Sequence, residues 1–100
     1  MTDAPASPDA AGAVQGRPAL VRHVRLRHDV ARDRWVIQAP ERVFALDPIA
    51  HAVVEACDGE RTLVDVIDHL AAKFGAPRDR VAADVTAMVE DLCAKGVMRP

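Results

Sequence analysis

The chain is 100 residues long, half of them apolar and 28% charged, with a net charge of −2. That is one globular domain at most, too balanced in charge to hold nucleic acid by bulk attraction. No apolar run approaches the roughly 18–20 residues of a membrane span, so no membrane partner is expected. Residues 1–16 (MTDAPASPDAAGAVQG) have no apolar periodicity and read as a flexible tail, with residues 17–100 as the folded domain. Lacking Lys, Arg and a continuous apolar core, the tail is not expected to be a secretory signal. Two cysteines 36 positions apart form no framework, and a cytoplasmic location is expected.

Residues 17–46 predict three short strands. Val24-Arg25-Leu26-Arg27-His28 alternates apolar and basic residues with period two. DVARDR (29–34) supplies turn chemistry, and Trp35-Val36-Ile37-Gln38-Ala39 favours a second strand. Pro40-Glu41 breaks it before Arg42-Val43-Phe44-Ala45-Leu46, the third. Trp35, Ile37 and Ala39 share one face, and Phe44 and Leu46 another. Connections this short predict an antiparallel meander.

From Asp47 the period becomes helical. Asp47-Pro48 is a cap followed by Pro, and Ile49, Val53, Ala56 and Cys57 stack until Asp58-Gly59 stops the helix. Thr62-Leu63-Val64-Asp65 resembles a capping box and opens the stripe Leu63, Val66, Ile67, Leu70, Phe74, ending at Gly75. Pro77 starts a third helix with Val81, Val85, Met88, Val89 and Leu92 on one side, closed by Lys95-Gly96. Three strands followed by three helices, without βαβ alternation, predict an α+β domain: a three-stranded antiparallel sheet and a three-helix bundle, winged-helix-like.

Charge divides along the same boundary. Seven arginines against Asp29, Asp33 and Glu41 leave residues 17–42 at +4, whereas residues 43–100, with six basic and ten acidic side chains, stand at −4. Alternating Arg on a solvated strand face is also what solubility alone produces.

Catalytic chemistry finds little support. His23, His28, His51, His69, Cys57 and Cys93 fall into no metal-ligand spacing, so neither metal nor cofactor is expected. Both cysteines lie on apolar stripes and read as small buried hydrophobes. Ser7 is the only serine, Tyr is absent, and the five scattered glycines form no phosphate loop. The chain is therefore not expected to be an enzyme. A winged-helix DNA-binding regulator is the alternative, but the third helix sets Arg78, Arg80 and Lys95 against Asp79, Asp84, Glu90 and Asp91, which disfavours nucleic acid as a partner.

A family pattern is present from Pro18 to Met98. Pro18, Leu26-Arg27-His28-Asp29, Pro40-Glu41, Leu46-Asp47, Asp58-Gly59-Glu60-Arg61-Thr62, Asp84-Val85 and Gly96 occur in the order of the D protein of pyrroloquinoline quinone (PQQ) biosynthesis, PqqD, and about four-fifths of the chain resembles that family. The resemblance implies a non-catalytic peptide chaperone, a precursor-peptide recognition element. It would bind the ribosomal precursor peptide PqqA and deliver it to the radical S-adenosylmethionine enzyme PqqE. It also implies that the peptide adds as a strand to the sheet edge and packs against the third helix.

The residues agree on where such a groove lies. Strand 42–46 is an edge, short and aliphatic, whose unpaired main-chain groups can template an incoming strand. The peptide-binding set is accordingly Arg42, Val43, Phe44, Ala45 and Leu46 with Val81, Val85, Met88 and Val89 of the third helix. Ordering a peptide residue costs about 1–2 kcal/mol, against about 0.5–1.5 kcal/mol returned per hydrogen bond, so apolar side chains must also enter pockets. Phe44, Leu46 and Val85 are expected to line them, and Phe44→Ala or Val85→Asp to weaken binding in a folded domain. Among the arginines, Arg25, Arg27 and Arg34 form the expected surface for the enzyme partner.

Overall fold

The computed structural model describes residues 16–100, so residues 1–15 of the expected tail lie outside the described residues. Four strands come first: β1 (Ala19–Leu20), β2 (Arg25–Asp29), β3 (Arg34–Gln38) and β4 (Val43–Leu46). Three helices follow, α1 (Pro48–Ala56), α2 (Leu63–Phe74) and α3 (Arg78–Ala94), and then β5 (Met98–Arg99). The protein is α+β, with an antiparallel sheet ordered β2-β3-β4.

Register decides which side chains meet the helices. Ile37 stands opposite both Leu26 and Phe44, and Trp35 opposite both His28 and Leu46. Residues directly opposite one another share a face. Phe44 and Leu46 therefore lie on the same face as Trp35 and Ile37, not on another one as expected. This inner face packs on the helices, with Ile37 wholly buried among Val53, Leu63, Val66, Leu70, Val89 and Leu92. At its hairpin end the Trp35 ring stacks on His51 of α1 at 4.3 Å and meets His28 at 5.0 Å.

Helix boundaries follow local chemistry. The Asp47 carboxylate accepts from the Ala50 N–H at 2.7 Å, with Pro48 at the first helical position. α1 ends at Cys57, whose N–H donates to the Val53 and Val54 carbonyls, two residues before the glycine expected to stop it. Asp58 instead builds the turn, accepting from the Glu60 and Arg61 N–H groups. The Thr62/Asp65 capping box forms as the spacing predicts, and Gly75 closes α2 in the left-handed conformation.

A second, two-stranded sheet joins the ends of the domain. β1 pairs antiparallel with β5, the Val21 N–H donates to the Val97 carbonyl, and the Gly59 N–H donates to the Pro18 carbonyl. Gly59 has a φ of +83°, and a Cβ there would lie 3.3 Å from both Ala19 Cβ and Arg99 Nη2. No helix of the described residues is long and apolar enough to cross a membrane.

Candidate functional site

The site begins with the backbone of β4. Ala39 and Arg42 stand opposite, and the Ala39 N–H donates to the Arg42 carbonyl at 2.8 Å. Hydrogen-bonded pairs alternate along an antiparallel ladder, so Phe44 and Leu46 also bond to β3. Val43 and Ala45 then turn their N–H and C=O groups away from the sheet, toward an edge at which no further strand is paired among the described residues. The opposite edge, β2, carries Arg25, Arg27 and Asp29, the kind of charge that blunts strand pairing, whereas β4 reads Val-Phe-Ala-Leu. Val43 is 62% exposed.

Beside that edge, on the inner face, lies a recess of about 200 Å³ lined by Phe44, Leu46 and Ala50, by Met88 and Leu92 of α3, and by Lys95 just past its end. Met88 also borders a second, almost wholly apolar recess of about 230 Å³, where Ile49 and Val53 of α1 face Phe74, Val81 and Val85. Each is smaller than the roughly 300–1,000 Å³ of small-molecule pockets and suits single side chains. Ile49 and Phe74 stay 54% and 44% exposed at the rim, which makes this a patch of exposed large apolar residues. Charge is confined to the edges of the recesses: Lys95 pairs with Asp91 near β4, and Arg80 and Asp84 border the second.

The structure brings most of the expected residues together but gives them different parts. Phe44, Leu46 and Met88 line the first recess, and Val81 and Val85 the second. Val85 is only 2% exposed and Val89 1%, so both belong to the core. An Asp at 85 would bury an unpaired carboxylate, so Val85→Asp is expected to destabilise the fold instead of leaving a folded domain with weakened binding. Arg42 closes one end of the groove, its guanidinium 5.2 Å from the Phe44 ring centre while donating to the Lys95 carbonyl at 2.7 Å. Ala50, Leu92, Ile49 and Phe74 were not among the expected residues. Leu92, Ile49 and Phe74 read as ordinary members of apolar helical stripes; what distinguished Ile49 and Phe74 was their place in a first and a last helical turn.

Arg25, Arg27 and Arg34 lie on the opposite, outward face of the sheet, all exposed. Arg27 donates to Gln38 Oε1 at 2.9 Å, and Arg32 pairs with Asp29 at 3.4 Å. Partial desolvation of the Asp29 carboxyl is outweighed by hydrogen bonds from Arg32 and by the charges of Arg32 and Arg34, which hold it below the usual range.

The cysteines are both free. Burial, with help from the neighbouring Asp58 and Cys93, pushes the Cys57 thiol up to about 12. Burial and Glu90 raise that of Cys93. Both are protonated at neutral pH and poor nucleophiles.

Known proteins share this architecture. Residues 34–98 match the family model described as Coenzyme PQQ synthesis protein D (PqqD). A PqqA binding protein of Bradyrhizobium diazoefficiens is 52% identical over 82 residues, covering 82% of this chain and 80% of the relative. One from Xanthomonas euvesicatoria pv. vesicatoria is 45% identical over 83% of this chain and 90% of its own. Among solved structures, the PqqD truncation of Methylobacterium extorquens PqqCD, described as a functional, stand-alone recognition element for ribosomally synthesized and post-translationally modified peptides (RiPPs), superposes with a TM-score of 0.72. It is 33% identical, covering 89% of this chain and 99% of that one. PqqD from Xanthomonas campestris matches with a TM-score of 0.57 and 43% identity, over 82% and 91% of the two chains.

Proposed function

The chain belongs to the PqqD family of coenzyme PQQ synthesis proteins, and from that premise we propose that it binds the precursor peptide PqqA as an added strand on β4 and presents it to the radical S-adenosylmethionine enzyme PqqE. The names of its relatives support peptide binding within PQQ biosynthesis. The observation that carries the reading is an uncharged strand edge, unpaired among the described residues, running beside an apolar groove whose far wall is α3.

Binding proceeds by two kinds of contact. Val43 and Ala45 offer the peptide main chain two donors and two acceptors, which set direction and register but favour no sequence. Alternate peptide side chains then point into the groove, where Phe44, Leu46, Met88 and Leu92 take apolar groups, and the recess between Ile49 and Phe74 receives the continuation of the chain. The domain performs no reaction on its guest; its work is to hold a flexible peptide in one extended conformation for the enzyme. The cytoplasm, where thiols stay reduced, suits the free Cys57 and Cys93.

Calorimetric titration with PqqA peptide tests this. An apolar side chain losing its pocket forfeits about 1.5–3 kcal/mol, so Phe44→Ala and Met88→Ala are each expected to raise Kd roughly 10- to 100-fold. Circular dichroism should show both variants folded, because Phe44 and Met88 are only partly buried. Wild-type affinity in both variants would refute this location of the groove.

A further inference from the structure

The outward face of the β2-β3-β4 sheet is covered by no helix or strand of the described residues, yet Val36 at its centre is only 4% exposed and does not belong to the main core. Its cover is side chains: Arg27 and Ala45 stand directly opposite it, and Arg34 and Gln38 flank it on its own strand. Together with Asp29, Arg32 and Val43 they enclose a shallow basin of about 460 Å³. Arg27 and Arg34 are exposed beside the buried Val36, an arrangement in which arginine stems cover apolar surface while the guanidiniums stay in water. Arg27 is braced by Gln38 and Arg32 by Asp29, and Arg25 and Arg34 form no ion pair among the described residues. Four arginines against one carboxylate make this patch strongly positive within a chain whose net charge is −2.

Resting on the peptide-delivery reading above, we propose that this outward face, Arg25, Arg27, Arg32 and Arg34 around Val36, docks an acidic protein surface on the enzyme that receives the peptide. Charge complementarity selects the occupant, because a patch of this sign within an acidic chain attracts carboxylates and steers association. Nucleic acid fits less well: the only tryptophan faces inward against His51, so the face has no aromatic platform for bases, and the helices are acidic. The geometry allows both partners at once. The peptide recesses open on the inner face and the basin on the outer one; Val43 and Ala45 border the basin with their side chains and meet the added strand with their main chain, and the arginines stand clear of the recesses.

The test compares wild type, Arg27→Glu/Arg34→Glu and Arg27→Lys/Arg34→Lys for binding to purified PqqE and, separately, to PqqA peptide. The charge-reversed variant should lose at least tenfold in affinity for the enzyme, keep its peptide Kd within about twofold, and be rescued by the Lys pair; wild-type binding should weaken with added salt. Unchanged enzyme binding after charge reversal overturns the proposal, as does a parallel loss of peptide affinity, which would place the arginines in the groove. A wild-type domain that binds peptide but not enzyme refutes delivery itself. Salt-sensitive capture of a generic DNA duplex in place of the enzyme reassigns the face to nucleic acid.

Discussion

Proline at position 45 separates strand addition from every other way of holding a peptide. The Ala45 N–H points away from β3, and its small side chain is exposed. Proline is tolerated on an edge strand where the N–H faces solvent, and it favours an extended residue before it, which Phe44 already is. Ala45→Pro should therefore fold. For the guest it removes one donor, worth about 0.5–1.5 kcal/mol, and leaves a desolvated peptide carbonyl unpaired at a further cost of about 1–3 kcal/mol. A loss of about 1.5–4.5 kcal/mol corresponds to roughly a 10- to 2,000-fold rise in Kd for PqqA peptide. Phe44→Pro is the internal comparison, since it deletes the donor paired with Ile37 and a ring packed on the core, and should destabilise the domain itself. Calorimetry and circular dichroism read both. An Ala45→Pro variant that is folded and binds with wild-type affinity would refute strand addition at this edge.

Two further outcomes follow from the frame around the site. Gly59→Ala places a Cβ at positive φ and against Ala19 and Arg99, so it should cost about 1–2 kcal/mol and lower the Tm by roughly 5–10 °C in a thermal melt. The Asp58 carboxyl is held low mainly by the Arg61 and Glu60 N–H groups, and that of Asp65 mainly by Thr62. Their folded pKa values lie below the unfolded ones, so their stabilisation is complete above the unfolded carboxyl pKa of about 4 and is lost as pH falls through the folded values. Urea titrations from pH 6 to 2 should show stability falling below about pH 4, and less steeply in Asp65→Asn.

Much of this architecture is legible in the sequence because it rests on short-range rules. The Asp47-Pro48 start, the Thr62/Asp65 box and Gly75 each act within four residues, and the period-two and period-3.6 stripes place the sheet and helices. What escaped were long-range pairings. β1 and β5 are two residues each, too short for any period, and are held by partners about 80 positions apart. The shared face of Ile37 and Phe44 depends on register across a turn, which alternation within a single strand does not reveal. The groove was only half legible for the same reason: a stripe such as Val81, Val85, Met88, Val89 shows which side of α3 is apolar. Only packing shows that Val85 and Val89 are core while Met88, with Ile49 and Phe74 from other helices, borders open space.

Amide hydrogen exchange on the domain with and without PqqA peptide tests strand addition most directly. Phe44 and Leu46 already donate to β3 and should be protected in both states. Val43 and Ala45 should exchange fast alone and slow markedly once the peptide is bound, giving an alternating pattern along four consecutive residues. Protection gained along β2 instead, or none at Val43 and Ala45 under saturating peptide, would contradict the account.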